Sequence, residues 1–165
     1  MKPSEMQSKV EKSLIYIEWK KTRPDAFLSS IFTMLGKGPN WSLNYFNPKT
    51  QKMSTFTLTD PIDLATGQEI VGAGEPPKPI KLDSELLDPD KIIDAATAEL
   101  NAKYMQHSVT KGMAALQVID GVQLWNVTFF TSLLKAINIR VEQDSGKIIS
   151  SEIISIMDIQ SGERK

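Results

Sequence analysis

The sequence predicts an α+β fold made of two related units, each a helix laid on an antiparallel sheet and packed against the other. Three observations lead there. Trp41-Ser42-Leu43-Asn44-Tyr45-Phe46 reads like Trp125-Asn126-Val127-Thr128-Phe129-Phe130: each begins with Trp, alternates polar and apolar residues, and ends in two aromatics. Internal repetition of this kind outranks local propensity in deciding a fold. Apolar residues recur at helical spacing ahead of each Trp-led strand. Asp120-Gly121, set between two apolar runs, is a strong tight-hairpin signal.

The elements follow in order. Met6, Val10, Leu14 and Ile17 are spaced by three or four residues, which predicts one amphipathic helix over 4–21. Within it, Leu14 to Trp19 also carries strand-like β-branched and aromatic content, and the helix is the favoured reading. Pro24-Asp25 followed by Phe27, Leu28, Ile31, Met34 and Leu35 predicts a second helix, with Pro at its first position and Gly36-Lys37-Gly38-Pro39 as its stop. Two strands, 41–46 and 53–59, flank the polar turn Asn47–Lys52 and form a hairpin.

Gly72-Ala73-Gly74-Glu75-Pro76-Pro77-Lys78-Pro79 reads as a linker. The chain thereby divides into an N-terminal amphipathic helix (1–23), a first α+β unit (24–71), a Gly/Pro linker (72–82) and a second α+β unit (83–165). In the second unit Asp88 is a good N-cap and Pro89 a good first helical residue for the stripe Ile93, Ala96, Leu100 and Tyr104. Strands are expected at Met113–Ile119, Leu124–Phe130, Ala136–Gln143 and Ile148–Ile159, with a turn at Asp144-Ser145-Gly146-Lys147. The two Pro-Asp pairs lie closer together than the two Trp residues do. The second unit is therefore expected to hold an added strand, Met113–Ile119.

Composition narrows the function. The chain is 41% hydrophobic and 24% charged, with a formal net charge of −1, so no global field favours nucleic acid or an anionic membrane. There is no cysteine, which removes disulfides, thiolate metal sites and cysteine nucleophiles. No apolar run reaches the roughly 20 residues of a membrane helix. The charged start lacks the apolar core of a secretion signal, and the chain reads as cytoplasmic.

Catalytic chemistry is not nominated. His107 is the only histidine and has no sequence-local partner, so a solvated residue is the better reading. Zinc needs about three or four N, S or O ligands, and one His without Cys makes it improbable. Asp60-Pro61-Ile62-Asp63 lacks the ligand density of a calcium loop, and Asp88 and Asp90 suit capping. Gly36–Asn40 follows an expected helix, which is the wrong helix end for a phosphate. Asn40-Trp41-Ser42 and Asn126-Val127-Thr128 fit the glycosylation pattern but sit at expected strands, as chance matches would. No catalytic, cofactor-binding or metal-binding residue is assigned, and no cofactor is expected.

Residues 88–159 resemble the PepSY and PepSY-like families. The resemblance rests on the helix, on Leu124–Phe130, and on Ile137-Asn138-Ile139-Arg140-Val141-Glu142-Gln143-Asp144-Ser145-Gly146-Lys147-Ile148-Ile149, where a strand reaches an acidic residue, turns on a Gly and returns. Residues 24–71 look like a worn second copy, with Asp60 and Thr66-Gly67 further apart. The resemblance implies small cystatin-like α+β modules, some found in protease propeptides, with an inhibitory or regulatory role. It carries over no catalytic residue.

One turn breaks the polar rule. Aligning the Trp residues sets the polar turn Asn47–Lys52 against Thr131-Ser132-Leu133-Leu134-Lys135-Ala136. With Phe130, Leu133 and Leu134 form a candidate partner-binding patch. The readings of this patch are packing within the chain, a homodimer contact and a foreign partner. The function expected is a non-catalytic, PepSY-like protein- or peptide-binding module that regulates a protease. The alternatives are a small-ligand binder or enzyme with its pocket between helix and sheet, and a structural subunit of a larger assembly.

Overall fold

The computed structural model describes residues 1–36, 38, 40–70, 75–83 and 85–157. Its elements run α1 (Pro3–Glu11), α2 (Leu14–Lys21), β1 (Phe27–Leu35), β2 (Ser42–Asn47), β3 (Lys52–Thr57), β4 (Asp63–Gln68), α3 (Pro89–Lys103), β5 (Val109–Ile119), β6 (Val122–Thr131), β7 (Lys135–Val141) and β8 (Ile148–Ser155). The fold is α+β. One eight-stranded sheet has the order β4-β3-β2-β1-β5-β6-β7-β8, and every neighbouring pair is antiparallel. Strands of the first half step outward from β1, and those of the second half step outward from β5. The two meet at the centre, where Phe32 stands opposite Ala115.

The expected helix over 4–21 is two helices. Ser13 interrupts it: its backbone is extended (φ −74°, ψ 148°), and its hydroxyl accepts the Tyr16 N–H at 3.4 Å as the N-cap of α2. The break rotates the stripe, so Met6 and Val10 are fully buried while Leu14 is 81% exposed. Residues 14–19 are helical, as favoured.

The expected helix from Pro24 is instead β1, the strand that joins the two halves. Its apolar spacing imitates a helix because the register against β2 shifts between Leu28 and Ser30. The bulge puts Leu28 and Ile31, three residues apart, on the same side of the sheet, where both are buried. Among the described residues four strands thus precede α3 and four follow it, so Met113–Ile119 does not give the second half more strands than the first. Gly36, at φ +92°, ends a strand rather than a helix. Strand β4, which was not among the strands expected from the sequence, pairs with β3.

Other expectations hold. Asp88 caps α3 by accepting the Asp90 N–H at 3.1 Å. Asp120 and Gly121 both have positive φ, 52° and 78°, as a tight turn between twisted strands requires. The hairpin β2–β3 turns through Asn47–Lys52. Residues 72–74 of the expected linker lie outside the described residues. The expected last strand, Ile148–Ile159, ends at Ser155, with Ile156 and Met157 helical and the residues from 158 outside the described ones. The rest of the linker is fastened to the sheet. Ile80 is buried and donates its N–H to the Leu28 carbonyl at 3.0 Å. The Gln123 side chain bonds both the N–H and the C=O of Lys81 at 2.8 Å.

Helices α1, α2 and α3 serve one side of the sheet. Met6, Trp19, Ile92 and Ala96 join Leu43, Tyr45, Phe56, Trp125, Val127, Ile137 and Ile139 in a single core. Under α2, Trp19 meets Tyr45 and Phe56 with ring centroids 5.4 and 5.1 Å away, and its indole N–H donates to the Ser54 hydroxyl at 3.0 Å.

Candidate functional site

Side chains alternate across a strand, so the residues between the core positions point to the other side of the sheet. None of the described helices packs there. The cross-strand registers set out its rows. One row runs Met34, Met113, Thr128, Asn138 and Glu152 from β1 to β8. The next runs Ser42, Phe32, Ala115, Asn126 and Arg140. At the end of the sheet nearest the β6–β7 turn, Lys111, Phe130, Ala136 and Ile154 stand side by side.

The two halves of this face differ in chemistry. In the first half, polar side chains bond one another across strands. The Asn44 amide donates to the Ser30 hydroxyl at 2.9 Å, Thr55 donates to the Asn44 amide oxygen at 2.6 Å, and Ser42 and Thr57 share a bond at 3.0 Å. These groups are satisfied within the chain, which lets a helix-free face persist in water. In the second half the polar links are fewer: Thr128 donates to Asn138 at 2.7 Å, and Arg140 pairs with Asp120 at 3.8 Å. Met113 and Phe130 lie among them, and Met34 of β1 stands beside Met113. Met34 is 44% exposed, and the Lys111 ammonium sits 5.5 Å from the centre of the Phe130 ring.

The β6–β7 turn extends this apolar strip beyond the sheet. Leu133 is 72% exposed and Leu134 is 60% exposed, so neither folds under the first half into the core. Thr131 is buried, and its hydroxyl accepts the Lys135 N–H at 3.2 Å, closing the turn. Leu134 has φ 56°, a left-handed conformation that glycine and asparagine adopt with little strain. Phe130, Leu133 and Leu134 were nominated from sequence, and the strand order places them at one end of the open face. Phe32, Met34 and Met113, on the same face, were not nominated from sequence. The first two lie on a strand read as a helix, and nothing local marks them.

The remaining candidates do not converge. His107 is half-buried after α3, its ring 6.4 Å from that of Tyr104. Glu99 pairs with Lys103 at 3.2 Å. Among the described residues no group of three or more His, Asp and Glu could hold a metal ion. Beneath α2, over β2 and β3, the rings of Trp19, Tyr45 and Phe56 fill the space between helix and sheet, where a ligand pocket was one expectation, and a recess remains between α2 and β4. Tyr45 is held protonated well above its usual range, first by burial and then by Glu11, whose carboxylate accepts its hydroxyl at 3.0 Å. Tyr16 is pushed up to about 12, again first by burial and then by Glu11. This is a packed structural cluster on the helix side. No described helix is long and apolar enough to cross a membrane.

No protein-family model matches the chain. No curated protein matches it at a significant level. Among solved structures, the chain is similar to a crystal structure from Clostridium difficile 630 named "putative lipoprotein", with 10% identity, a TM-score of 0.47, and coverage of 85% of this chain and 90% of that one.

Proposed function

We propose that this chain is a non-catalytic module that binds a protein or peptide on the open face of its sheet, and that it is built from two related PepSY-like units. The first unit comprises α1 to β4 and the second α3 to β8. Several observations support the pairing of units. Trp41 immediately precedes β2 and Trp125 lies in β6, each the second strand of its half. Counting on from the two Trp residues aligns Leu43 with Val127 and Tyr45 with Phe129, and all four are buried on the helix side. The cystatin-like description and the regulation of a protease belong to this same reading.

One observation carries the binding proposal. Leu134 holds a left-handed conformation while 60% exposed, next to a Leu133 that is 72% exposed. Neither stability nor solubility favours leucine there. Strained residues of this kind cluster at functional sites. The two leucines continue the strip of Phe130, Met113 and Met34, and methionine and aromatic residues are enriched in binding surfaces.

The test begins with extended peptides selected from a displayed random library against the wild-type chain, mapped by hydrogen exchange. Protection is expected over 109–113 and 128–137. The paired change Leu133→Asp and Leu134→Asp is expected to abolish that binding with the urea midpoint unmoved. Protection confined to other segments, or peptides that bind the variant as well as the wild type, would sink the proposal. A variant that fails to fold would return both leucines to a structural role.

A further inference from the structure

We propose that the free edge of β4, together with the groove between it and α2, accepts an extended segment of a partner protein as an added antiparallel strand. The segment carries apolar side chains at alternate positions and an acidic residue at its N-terminal end. This surface lies at the far edge of the sheet from β8 and is separate from the open face.

Strand β4 ends the sheet order, and no described strand lies beyond it. Over Asp63–Ala65 no described backbone pairs with its outward N–H and C=O groups, and such edges are templates for strand addition. A bulge at Thr66–Gly67, where the register shifts and Gly67 has φ +71°, ends this regular stretch. The six residues of β4 span about 20 Å at roughly 3.3 Å per residue. Beside β4, α2 leaves a recess lined by Leu14, Ile15, Trp19, Arg23, Leu64 and Thr66. Separate recesses adjoin it at either end, one from Lys9 to Ile62 before β4 begins and one from Arg23 to Lys52 and Gly67.

The groove is apolar where an added strand would send its inward side chains. Leu14 is 81% exposed and Ile15 is 37% exposed, although both begin a helix whose other face is buried through Trp19. Side chains from a ninth strand would cover Ile15 and Leu64 on the helix side of the sheet.

Charge sets the direction. At the Gly67 end, Arg23 lies over the Trp19 ring at 5.6 Å and donates to the Trp19 carbonyl and the Thr22 hydroxyl. It has no carboxylate partner among the described residues, whereas Lys52 beside it is paired with Glu69. At the opposite end Lys9 and Asp60 line the same recess and offset each other. A strand antiparallel to β4 starts at the Arg23 end, so its acidic residue belongs at its N-terminus.

The probes are two synthetic heptapeptides of alternating valine and threonine, one with glutamate first and one with glutamate last. A third copies the first with alternate amides N-methylated. Binding is read by tryptophan fluorescence and hydrogen exchange. The glutamate-first peptide is expected to protect the amides of 63–68 and to bind several-fold tighter than the glutamate-last peptide. Leu64→Lys or Ile15→Lys is expected to weaken it by roughly tenfold or more, the scale of one lost apolar contact. Arg23→Glu is expected to remove the preference between the two peptides, and N-methylation to abolish binding. Equal binding of the N-methylated peptide, or protection that leaves 63–68 untouched, would overturn the proposal. So would binding that reports only the other users of such a patch: a dimer in sedimentation that Ile15→Lys dissociates, or Ile15-dependent adsorption to phosphatidylserine vesicles without peptide binding.

Discussion

Trp41 and Trp125 meet edge to face, with ring centroids 5.9 Å apart at an interplanar angle of 75°. The two residues that head the matching sequence stretches are thus in contact, and their contact joins the two halves within the core. Trp125 is fully buried and Trp41 is 8% exposed. Trp125→Ala should cost about 3–5 kcal/mol in urea unfolding, with Trp41→Ala toward the lower end. A double-mutant cycle should return a coupling of about 0.5–1.5 kcal/mol, the usual contribution of an aromatic pair beyond its buried area. Additive single effects would mean that the two rings stabilise the halves separately.

Close approach at the centre of the sheet yields a second prediction. A Cβ added at Gly112 would lie 3.1 Å from Leu35 Cδ1, 3.2 Å from Phe129 Cδ1 and 3.2 Å from the Thr128 carbonyl oxygen. The two side chains can shift, but the backbone oxygen belongs to the paired strand. Gly112→Ala should therefore lower stability by about 1–3 kcal/mol in thermal or urea unfolding, an overpacking cost. An unchanged midpoint would show that β5 and β6 separate locally at little expense.

What could be read from sequence divides along physical lines. Short-range chemistry was legible: Asp88-Pro89 starts α3, Asp120-Gly121 turns β5 into β6, and the polar run Asn47–Lys52 joins β2 to β3. Strand β1 was not, because a bulge at Ser29 gives it helical spacing and central burial places apolar residues on both of its sides. The edge strand β4, with Asp63, Thr66, Gly67 and Gln68 exposed, lacks the alternation that marks a half-buried strand. The site followed the same division. Phe130, Leu133 and Leu134 stood out because apolar residues occupy a turn. Phe32, Met34 and Met113 join them only through the pairing of β1 with β5, a long-range contact with no local signature.

The left-handed leucine predicts a trade between stability and binding. Holding a non-glycine residue at φ 56° costs roughly 1–2 kcal/mol, and asparagine tolerates that region better than leucine. Leu134→Asn should thus raise stability by about 1 kcal/mol, since a 60% exposed side chain gives up little burial. The same change should weaken any peptide that protects 128–137. A less stable Leu134→Asn variant would mean that the leucine packs in solution and that its conformation is not strained.

Alkaline pH should expose the cluster beneath α2. Tyr45 is 2% exposed and its hydroxyl donates to Glu11 at 3.0 Å. Burial first, then Glu11 and Tyr16, raise its ionisation well above the ordinary value of 10.0, and Tyr16 is raised to about 12. Below pH 10 both tyrosines keep their protons whether the chain is folded or unfolded, so their contribution is fully present and does not vary with pH. Above pH 10 the unfolded chain loses these protons while the folded chain keeps them. The unfolded state then binds fewer protons, and stability must fall as pH rises. The decline should run from about pH 10 through the ionisation of Tyr16 near 12 and continue toward that of Tyr45. Tyr45→Phe should cost about 1–3 kcal/mol at neutral pH, because Glu11 loses a donor in a partly buried setting. It should also flatten the alkaline decline in urea midpoints, since one of the two shifted groups is gone. Midpoints of variant and wild type that fall in parallel above pH 10 would place the alkaline sensitivity elsewhere in the chain.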